Sequence, residues 1–469
     1  MDIELNHREQ DIINHVAKAV ALVQQESYLI GGFVRDKILN RPTTDADIVC
    51  LGDCLTLAKA VAQQFSPVPE VNYFKNFGTA HIHTQKFDIE FVTARKESYE
   101  QHSRNPIVEV GTIKDDQNRR DFTINAFAIS LNPHDFGKMI DPFNGMEDLN
   151  NKIIKTPLDP DTTFSDDPLR MLRAIRFATQ LGFDIHYTAF SSIRKNKDRI
   201  KIISQERITT EINKIILSPK PSIGFDLLYQ CGLLQIIFPK MVALAGAEYI
   251  DGKGHKDNFY HTLQVLDNVA EKTDDLWLRW AAILHDIAKP ATKKFENGLG
   301  WTFHGHEVVG AKMVPKIFAQ FKLPLHEKMR FVQKLVLLHL RPISVTKENI
   351  TDSAIRRLLF DAGDDFDALM ILCEADITSK NKAKVKRFLE NFKAVRERCR
   401  EVEEKDQVRN WQPPVDGSEI MQMYNLKPSR NVGLLKDALK DAILDGVIPN
   451  TREQSIEFLN RKAKELGVI

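Results

Sequence analysis

The sequence is short of the features that would carry it out of a reducing compartment. Its 469 residues include only five cysteines, Cys50, Cys54, Cys231, Cys373 and Cys399, with no CxxC pair and no regular spacing. That argues against a disulfide-framed secreted fold. No apolar run approaches the roughly 18 to 20 residues needed to span a bilayer, and the opening "MDIELNHREQ" is polar and acidic. A cytoplasmic protein with no membrane contact is expected. Repeats and low-complexity segments are also missing. An excess of one charge is missing too: 65 Lys and Arg face 64 Asp and Glu, for a formal charge of +1. Any nucleic-acid contact therefore rests on local basic surface rather than on the total. What is present, 43% hydrophobic and 28% charged residues, is the composition of a globular chain with room for about two to four domains.

The pattern changes along the chain. "SYLIGG" and "DADIVC" read as short strands around a helix beginning near Val34, and "AHIHTQKFDIEFVTA" as a strand pair. From about Asp148 long amphipathic helices take over, such as "DPLRMLRAIRFATQLGF" and "ERITTEINKIIL". A Gly-rich break, "DGKGHKDN", precedes a second helical region that holds most of the histidines. After about Ser379 come a basic run, "KNKAKVKRF", a turn-rich insert, "NWQPPVDGSE", and two more helices. The reading is an α+β head (1–147), an all-α body (148–245), a histidine-bearing region (246–380) and a helical tail (381–469).

Chemistry concentrates in residues 29–50, "LIGGFVRDKILNRPTTDADIVC". Asp45 and Asp47 alternate, so a strand projects both carboxylates from one face. Like charges so close need a cation between them, and oxygen-only sites of this kind suit Mg²⁺ bound to substrate phosphates. Gly31 and Gly32 permit close backbone approach, and the helix that follows aims free N–H groups at an anion. Arg35 adds a charge-assisted contact or pairs with Asp36. A Gly-Gly turn alone is common, and a DxD strand is often just a solvated edge. In strand–glycine–helix–strand order they point to a triphosphate site. "FDIEFV" offers a third acidic strand with Asp88 and Glu90. Three carboxylates holding two Mg²⁺ ions imply nucleotidyl transfer, with a hydroxyl as nucleophile and pyrophosphate leaving.

These residues resemble the class II CCA-adding enzymes and bacterial poly(A) polymerases, which share a polymerase-β-like nucleotidyltransferase head. "GGFVRD…RPTTDADIV", "RRDFTINAFAI" (119–129) and "DDPLRMLRAIRFA" (166–178) carry the resemblance over roughly the first 240 residues. It implies that Asp45, Asp47 and Glu90 are the catalytic, metal-binding carboxylates. It also implies that Gly31, Gly32, Arg35 and Arg120 contact the nucleotide, with Asp121 and Asn125 handling ribose and phosphate.

The third motif has a chemical reading of its own. Asp167 and Arg170, three apart, are neighbours on one helix face, and Arg173 and Arg176 continue the stripe. An acceptor beside a donor matches the exocyclic amine and ring nitrogen of cytosine and adenine. Uracil and guanine present the reverse and leave unmatched polar groups. The plain alternative is a surface ion pair. The family has Glu-Asp where this chain has Asp166-Asp167, which leaves Asp167 in the matching place. The polar stretch after the Glu90 strand reads as a loop long enough to move; full length there goes, in the family, with complete CCA addition. A poly(A) product remains the alternative.

In the second helical region His261, His285-Asp286, His304, His306, His339 and Asp376 follow in order. Imidazole with carboxylate suits a divalent transition metal, and the ordered set resembles the HD phosphohydrolases. By that resemblance His261, His285, Asp286 and Asp376 hold one metal of unassigned identity. His306 and His339 complete a second, with His304 a weaker competitor. An HD region behind this head occurs among bacterial CCA-adding enzymes, some with phosphatase or phosphodiesterase activity. The expected partners are the tRNA 3′ end, CTP and ATP, with the basic run and the tail as RNA contacts. The rival readings are a poly(A) polymerase, an HD phosphohydrolase with a nucleotide-sensing head, and a silent RNA-binding protein.

Overall fold

The first helix is specified locally. In α1 (His7–Val23) Asn6 accepts from the Glu9 amide while the Glu9 carboxylate accepts from the Asn6 amide. This reciprocal box satisfies donors that a helix N-terminus leaves open. Glu9 is buried, and its carboxylate also takes Lys37 at 2.7 Å and the Thr43 hydroxyl at 2.8 Å. One residue thus ties α1 to the segment that carries the DxD strand.

The structure is a computed structural model that describes residues 3–75, 78–84, 87–98, 107–250, 253–347, 351–379, 381–406 and 411–469. The chain divides into two units, Met1–Pro239 and Lys240–Ile469. In the first, β1 (Ser27–Ile30) leads to α2 (Gly32–Ile38), β2 (Asp45–Cys50), α3 (Cys54–Ala62), β3 (Val71–Phe74), β4 (Thr79–Thr84) and β5 (Phe87–Thr93). Then follow β6 (Arg95–Ser98), β7 (Ile107–Val110), α4 (Ile113–Asn118), β8 (Ala128–Ser130) and β9 (Met139–Ile140). Seven strands form one sheet in the order β3-β4-β5-β2-β1-β8-β9. Strands β2 and β5 run parallel, and the other neighbours run antiparallel. Along β2 the alternation is plain: Ala46, Ile48 and Cys50 are buried, while Asp45 and Asp47 lie on the other face.

Two details differ from the sequence reading. Helix α2 starts at Gly32 rather than near Val34. The stretch after β5 is no single loop, because β6 and β7 pair from Arg95↔Val110 to Ser98↔Ile107 and α4 follows. The β-branched "IVEV" run explains the pairing. The tip, 99–106, lies outside the described residues.

The helical body opens with α5 (Gly145–Asn150), α6 (Pro160–Asp166) and α7 (Leu169–Leu181) and continues through helices Tyr187–Asn196, Gln205–Ile216 and Pro221–Cys231. It is not purely helical, since Ile153–Ile154 pairs in parallel with Asp184–Ile185. Helix α7 stops where Gly182 takes φ 68° and the amides of Gly182 and Phe183 both return to the Ala178 carbonyl. Glycine reaches that left-handed conformation without a Cβ penalty.

In the second unit, helices Asn258–Ala270, Leu276–Leu284, His306–Gln320, Glu327–Leu338 and Phe366–Ala375 carry the histidines. Trp280 packs near Phe318 and Phe321, at ring-centroid distances of 6.4 and 5.4 Å. The basic run forms helix Lys382–Asp406. Three helices follow it where two were expected: Gly417–Met423, Arg430–Leu444 and Arg452–Glu465. The first is under two turns, too short to show a helical period. Together they bury Val415, Ile420, Leu435, Leu439 and Leu459. Among the described residues no helix is long and apolar enough to cross a membrane.

Candidate functional site

Parallel pairing of β2 with β5 sets the register Asp45↔Asp88 and Asp47↔Glu90. Asp47 and Glu90 therefore stand side by side on one face of the sheet, with Asp45 two residues along. Burial pushes the Asp47 carboxyl up to about 6; Arg120 opposes the push, and Glu90 and Asp45 add to it. The three carboxylates share a face without forming a tight group. An open, oxygen-only arrangement of this sort leaves Mg²⁺ most of its positions for water and phosphate. Asp88 is engaged by His83 at the exposed rim, and His81 Nε2 lies 3.7 Å from Glu90.

Gly31 closes the other side. Its φ is 80°, and a Cβ there would meet Arg120 Nη1 at 3.0 Å and Asp47 Oδ2 at 3.2 Å. Both the backbone and the space call for glycine. At Gly32 a Cβ would lie 3.6 Å from Arg35 Nη2. Arg35 is buried and committed: it donates to both oxygens of Asp36 at 2.9 Å and to Asn125 Oδ1 at 2.6 Å. Asn125 donates in turn to Asp121 Oδ1 at 3.0 Å, and the other Asp121 oxygen receives Arg173 through Nε at 2.7 Å and Nη2 at 2.6 Å. Burial alone would raise Asp121, but Arg173, the Asn125 amide and Arg170 prevail and hold it down at about 2.

The base-reading stripe is corrected in part. Asp167 does not share a helix face with Arg170. It precedes α7 in extended backbone, φ −129° and ψ 97°, and its Oδ1 accepts from the Leu169 amide at 3.2 Å. Pro168 follows it, and a residue before proline avoids helical backbone. Arg170 sends Nη2 to the Arg119 carbonyl at 2.6 Å, and Arg176 pairs with Glu211 at 2.7 Å. The stripe is thus three arginines with three different partners. The guanidiniums of Arg35, Arg173 and Arg176 also surround the Phe177 ring, at 4.8, 5.5 and 4.1 Å from its centroid. Phe177 and the buried Asp116, which binds Arg119 and Arg120, escaped the sequence reading. Asp116 left a signal in its i+3 and i+4 spacing to those arginines.

The histidines converge in the second unit. His261 Nε2 lies 2.8 Å from Asp376 and 3.5 Å from Asp286, and His285 Nε2 lies 3.2 Å from Asp286 and 3.5 Å from Asp376. On the far side of Asp286, His306 Nε2 is 3.2 Å from Oδ1 and 3.3 Å from His339 Nε2. Two ligand groups result, His261–His285–Asp286 and Asp286–His306–His339. They share one carboxylate. The Nδ1 atoms of His285, His306 and His339 sit 2.7, 2.8 and 2.6 Å from the carbonyls of Ala282, Phe303 and Val336, and His261 Nδ1 is 2.8 Å from the Thr378 hydroxyl. Each contact fixes a ring and turns its Nε2 toward the carboxylates, the outer support expected of metal-ligating histidines. Asp286 and Asp376 overcome burial and hold His285 up at about 10, so a cation entering there displaces protons. His285 Nε2 is buried without a hydrogen bond of usable geometry. That orphan, the shared Asp286, Asp376 beside His261 and His285, and four aimed imidazoles fit a divalent transition metal. His304 stands apart from both groups and lines an adjoining cavity of about 340 Å³ with Lys289, Phe303, His306, Glu307 and Leu340. Lys289, also missed in the sequence, holds Asp286 at 2.5 Å.

Residues 27–155 match the family described as the poly A polymerase head domain, and 182–244 match the "probable RNA and SrmB- binding site of polymerase A". Residues 258–381 match the HD domain. The multifunctional CCA protein of Shewanella frigidimarina (strain NCIMB 400) is 31% identical over 373 residues, 75% of this chain and 84% of that protein. The A-adding tRNA nucleotidyltransferase of Aquifex aeolicus (strain VF5) is 40% identical over 188 residues, 40% of this chain; the match spans only 22% of that longer relative. Among solved structures, a Thermotoga maritima CCA-adding enzyme complexed with tRNA shares the fold, with a TM-score of 0.60, 20% identity and coverage of 98% of this chain and 96% of that one.

Proposed function

The chain belongs to the family of the multifunctional CCA protein, and from that premise we propose that its head adds C, C and A to the 3′ end of tRNA from CTP and ATP. We read the histidine cluster as a second, divalent-metal centre that hydrolyses phosphate esters. The observation that carries the first reading is Asp47 beside Glu90 in register, with the Arg120 guanidinium next to Gly31 and near enough for its charge to act on Asp47. Asp45, Asp47 and Glu90 would hold Mg²⁺, which when bound would polarise the attacking hydroxyl and the leaving pyrophosphate. The chain's own residues do the rest. Gly31 and Gly32 leave bare backbone for the triphosphate, and Arg120 sets a positive charge beside Asp47. Asp121 and Asn125 fix Arg173 and Arg35 around it. Asp167 accepts the exocyclic amine shared by C and A, and Arg170, held to the Arg119 carbonyl through Nη2, donates to the neighbouring ring nitrogen through another of its N–H groups. A wrong base leaves a buried polar group unpaired, at about 1–3 kcal/mol.

In the second centre His261, His285, Asp286 and Asp376 would hold one divalent metal, and His306 and His339 with Asp286 a second; bound there, the metal would supply an activated water for hydrolysis. Lys289 puts a cation in the lining of the adjoining cavity, where a phosphate ester would bind. The segment 182–244 and the basic helix Lys382–Asp406 are the RNA contacts, and a cytoplasmic location goes with that substrate.

The Aquifex relative favours a second reading, addition of the terminal A alone to tRNA that already ends in CC. Extension of tRNA ending before CCA, or after CC, with CTP, ATP or both in Mg²⁺, separates the two. Three nucleotides added and then a stop, lost in Asp45→Ala, is the expected outcome. Extension only of the CC-ended substrate assigns A addition, a long tail from ATP a poly(A) polymerase, and no extension refutes transfer.

A further inference from the structure

Asp116 has been given no role so far, yet among the described residues of the head it is the one carboxylate whose side chain is wholly enclosed while bound to two arginines. Its Oδ1 accepts from Arg119 Nε at 2.9 Å, and its Oδ2 accepts from Arg120 Nε at 3.1 Å and Nη2 at 3.0 Å. Each oxygen serves one arginine, and each arginine leads to a different half of the site. Arg120 extends to the bare backbone at Gly31, from where its charge acts on Asp47. Arg119 leads through its carbonyl to Arg170 Nη2, 2.6 Å away. That carbonyl is available for a reason: Arg119 is the C-cap of α4, where carbonyls lack partners within the helix.

We propose that Asp116 is a positioning residue for nucleotide selection, the buried hub that fixes the metal-side Arg120 and the base-side Arg170 relative to one another. This rests on the transfer reading. Because Asp116 holds Arg120 directly, and also holds the side chain of the residue whose backbone carbonyl holds Arg170, a base is judged from a frame fixed to the triphosphate. The two arginines also hold Asp116 ionised in spite of its burial.

The test is Asp116→Asn, which keeps the shape and removes the charge. On tRNA ending in CC, KM for ATP and the rate of UTP and GTP misincorporation should each rise by about tenfold, the size of one lost charge-assisted contact. KM for tRNA should not move. Asn132→Ala is the control for general destabilisation: Asn132 is buried and accepts from the Ser27 amide at 2.8 Å, at the end of β1 away from Gly31. Selection unchanged in Asp116→Asn, or loosened equally by Asn132→Ala, overturns the inference while leaving transfer intact. A wild-type protein that extends no tRNA overturns the transfer reading and this one with it. Should Asp116→Asn not fold, Arg119→Met keeps the carbonyl that Arg170 binds but releases residue 119 from Asp116, and it leaves the Arg120 contact in place. Misincorporation that rises without change in Mg²⁺ dependence supports the hub, and unaltered selection overturns it.

Discussion

At Gly31 one hydrogen stands where any other residue has a carbon. The backbone there, φ 80° and ψ −140°, is costly for an L side chain, on the order of 1–3 kcal/mol. The nearest atoms to a new Cβ are the working ends of Arg120 and Asp47. Gly31→Ala is therefore expected to lower the melting temperature modestly and the single-turnover rate of nucleotide addition far more, by over about tenfold, because the groups that must yield are those proposed to meet the nucleotide. Thermal melts beside quench-flow extension would check it; a rate that falls only in proportion to folded protein would contradict it. The excess cost follows from what the methyl touches.

At the scale of elements, the bond between Asp121 and Arg173 joins the turn after α4 to α7. Asp121 sits at about 2 instead of 3.8, a difference worth roughly 2 kcal/mol. Since the folded value is the lower one, the contribution is complete above about pH 4 and disappears as pH falls through about 2. Asp121→Asn should cost at least about 2 kcal/mol at neutral pH by urea denaturation, and the gap from wild type should narrow between about pH 4 and pH 2. A gap that stays constant would mean the pair contributes little. The same bond marks where sequence stops being legible. The DxD alternation, the paired glycines and the ordered histidines are written in local spacing, so they could be read directly. Asp121 and Arg173 are 52 positions apart, and nothing local selects Asp121 over Asp167 as Arg173's partner. Pro168 did announce that Asp167 is not helical, a sign outweighed by the i,i+3 pattern. That one Asp286 serves two histidine groups is a matter of packing, which spacing does not encode.

Across the whole molecule the two candidate sites fall in separate units. All four tryptophans, Trp277, Trp280, Trp301 and Trp411, belong to Lys240–Ile469, so tryptophan fluorescence follows the unfolding of that unit alone. A metal held at 100 times its Kd stabilises its host by about 2.7 kcal/mol. Stripping the protein with a chelator should lower the fluorescence midpoint, and adding back a divalent transition metal should restore it. A midpoint indifferent to the chelator would mean that the histidine cluster binds no metal. The clamped Nδ1 atoms carry a kinetic consequence as well. With each imidazole already anchored to the chain, no ring has to turn before a cation is captured. The pace of metal exchange should then follow how quickly each ion sheds its own hydration water, ranking metals by lability rather than by any motion of the protein.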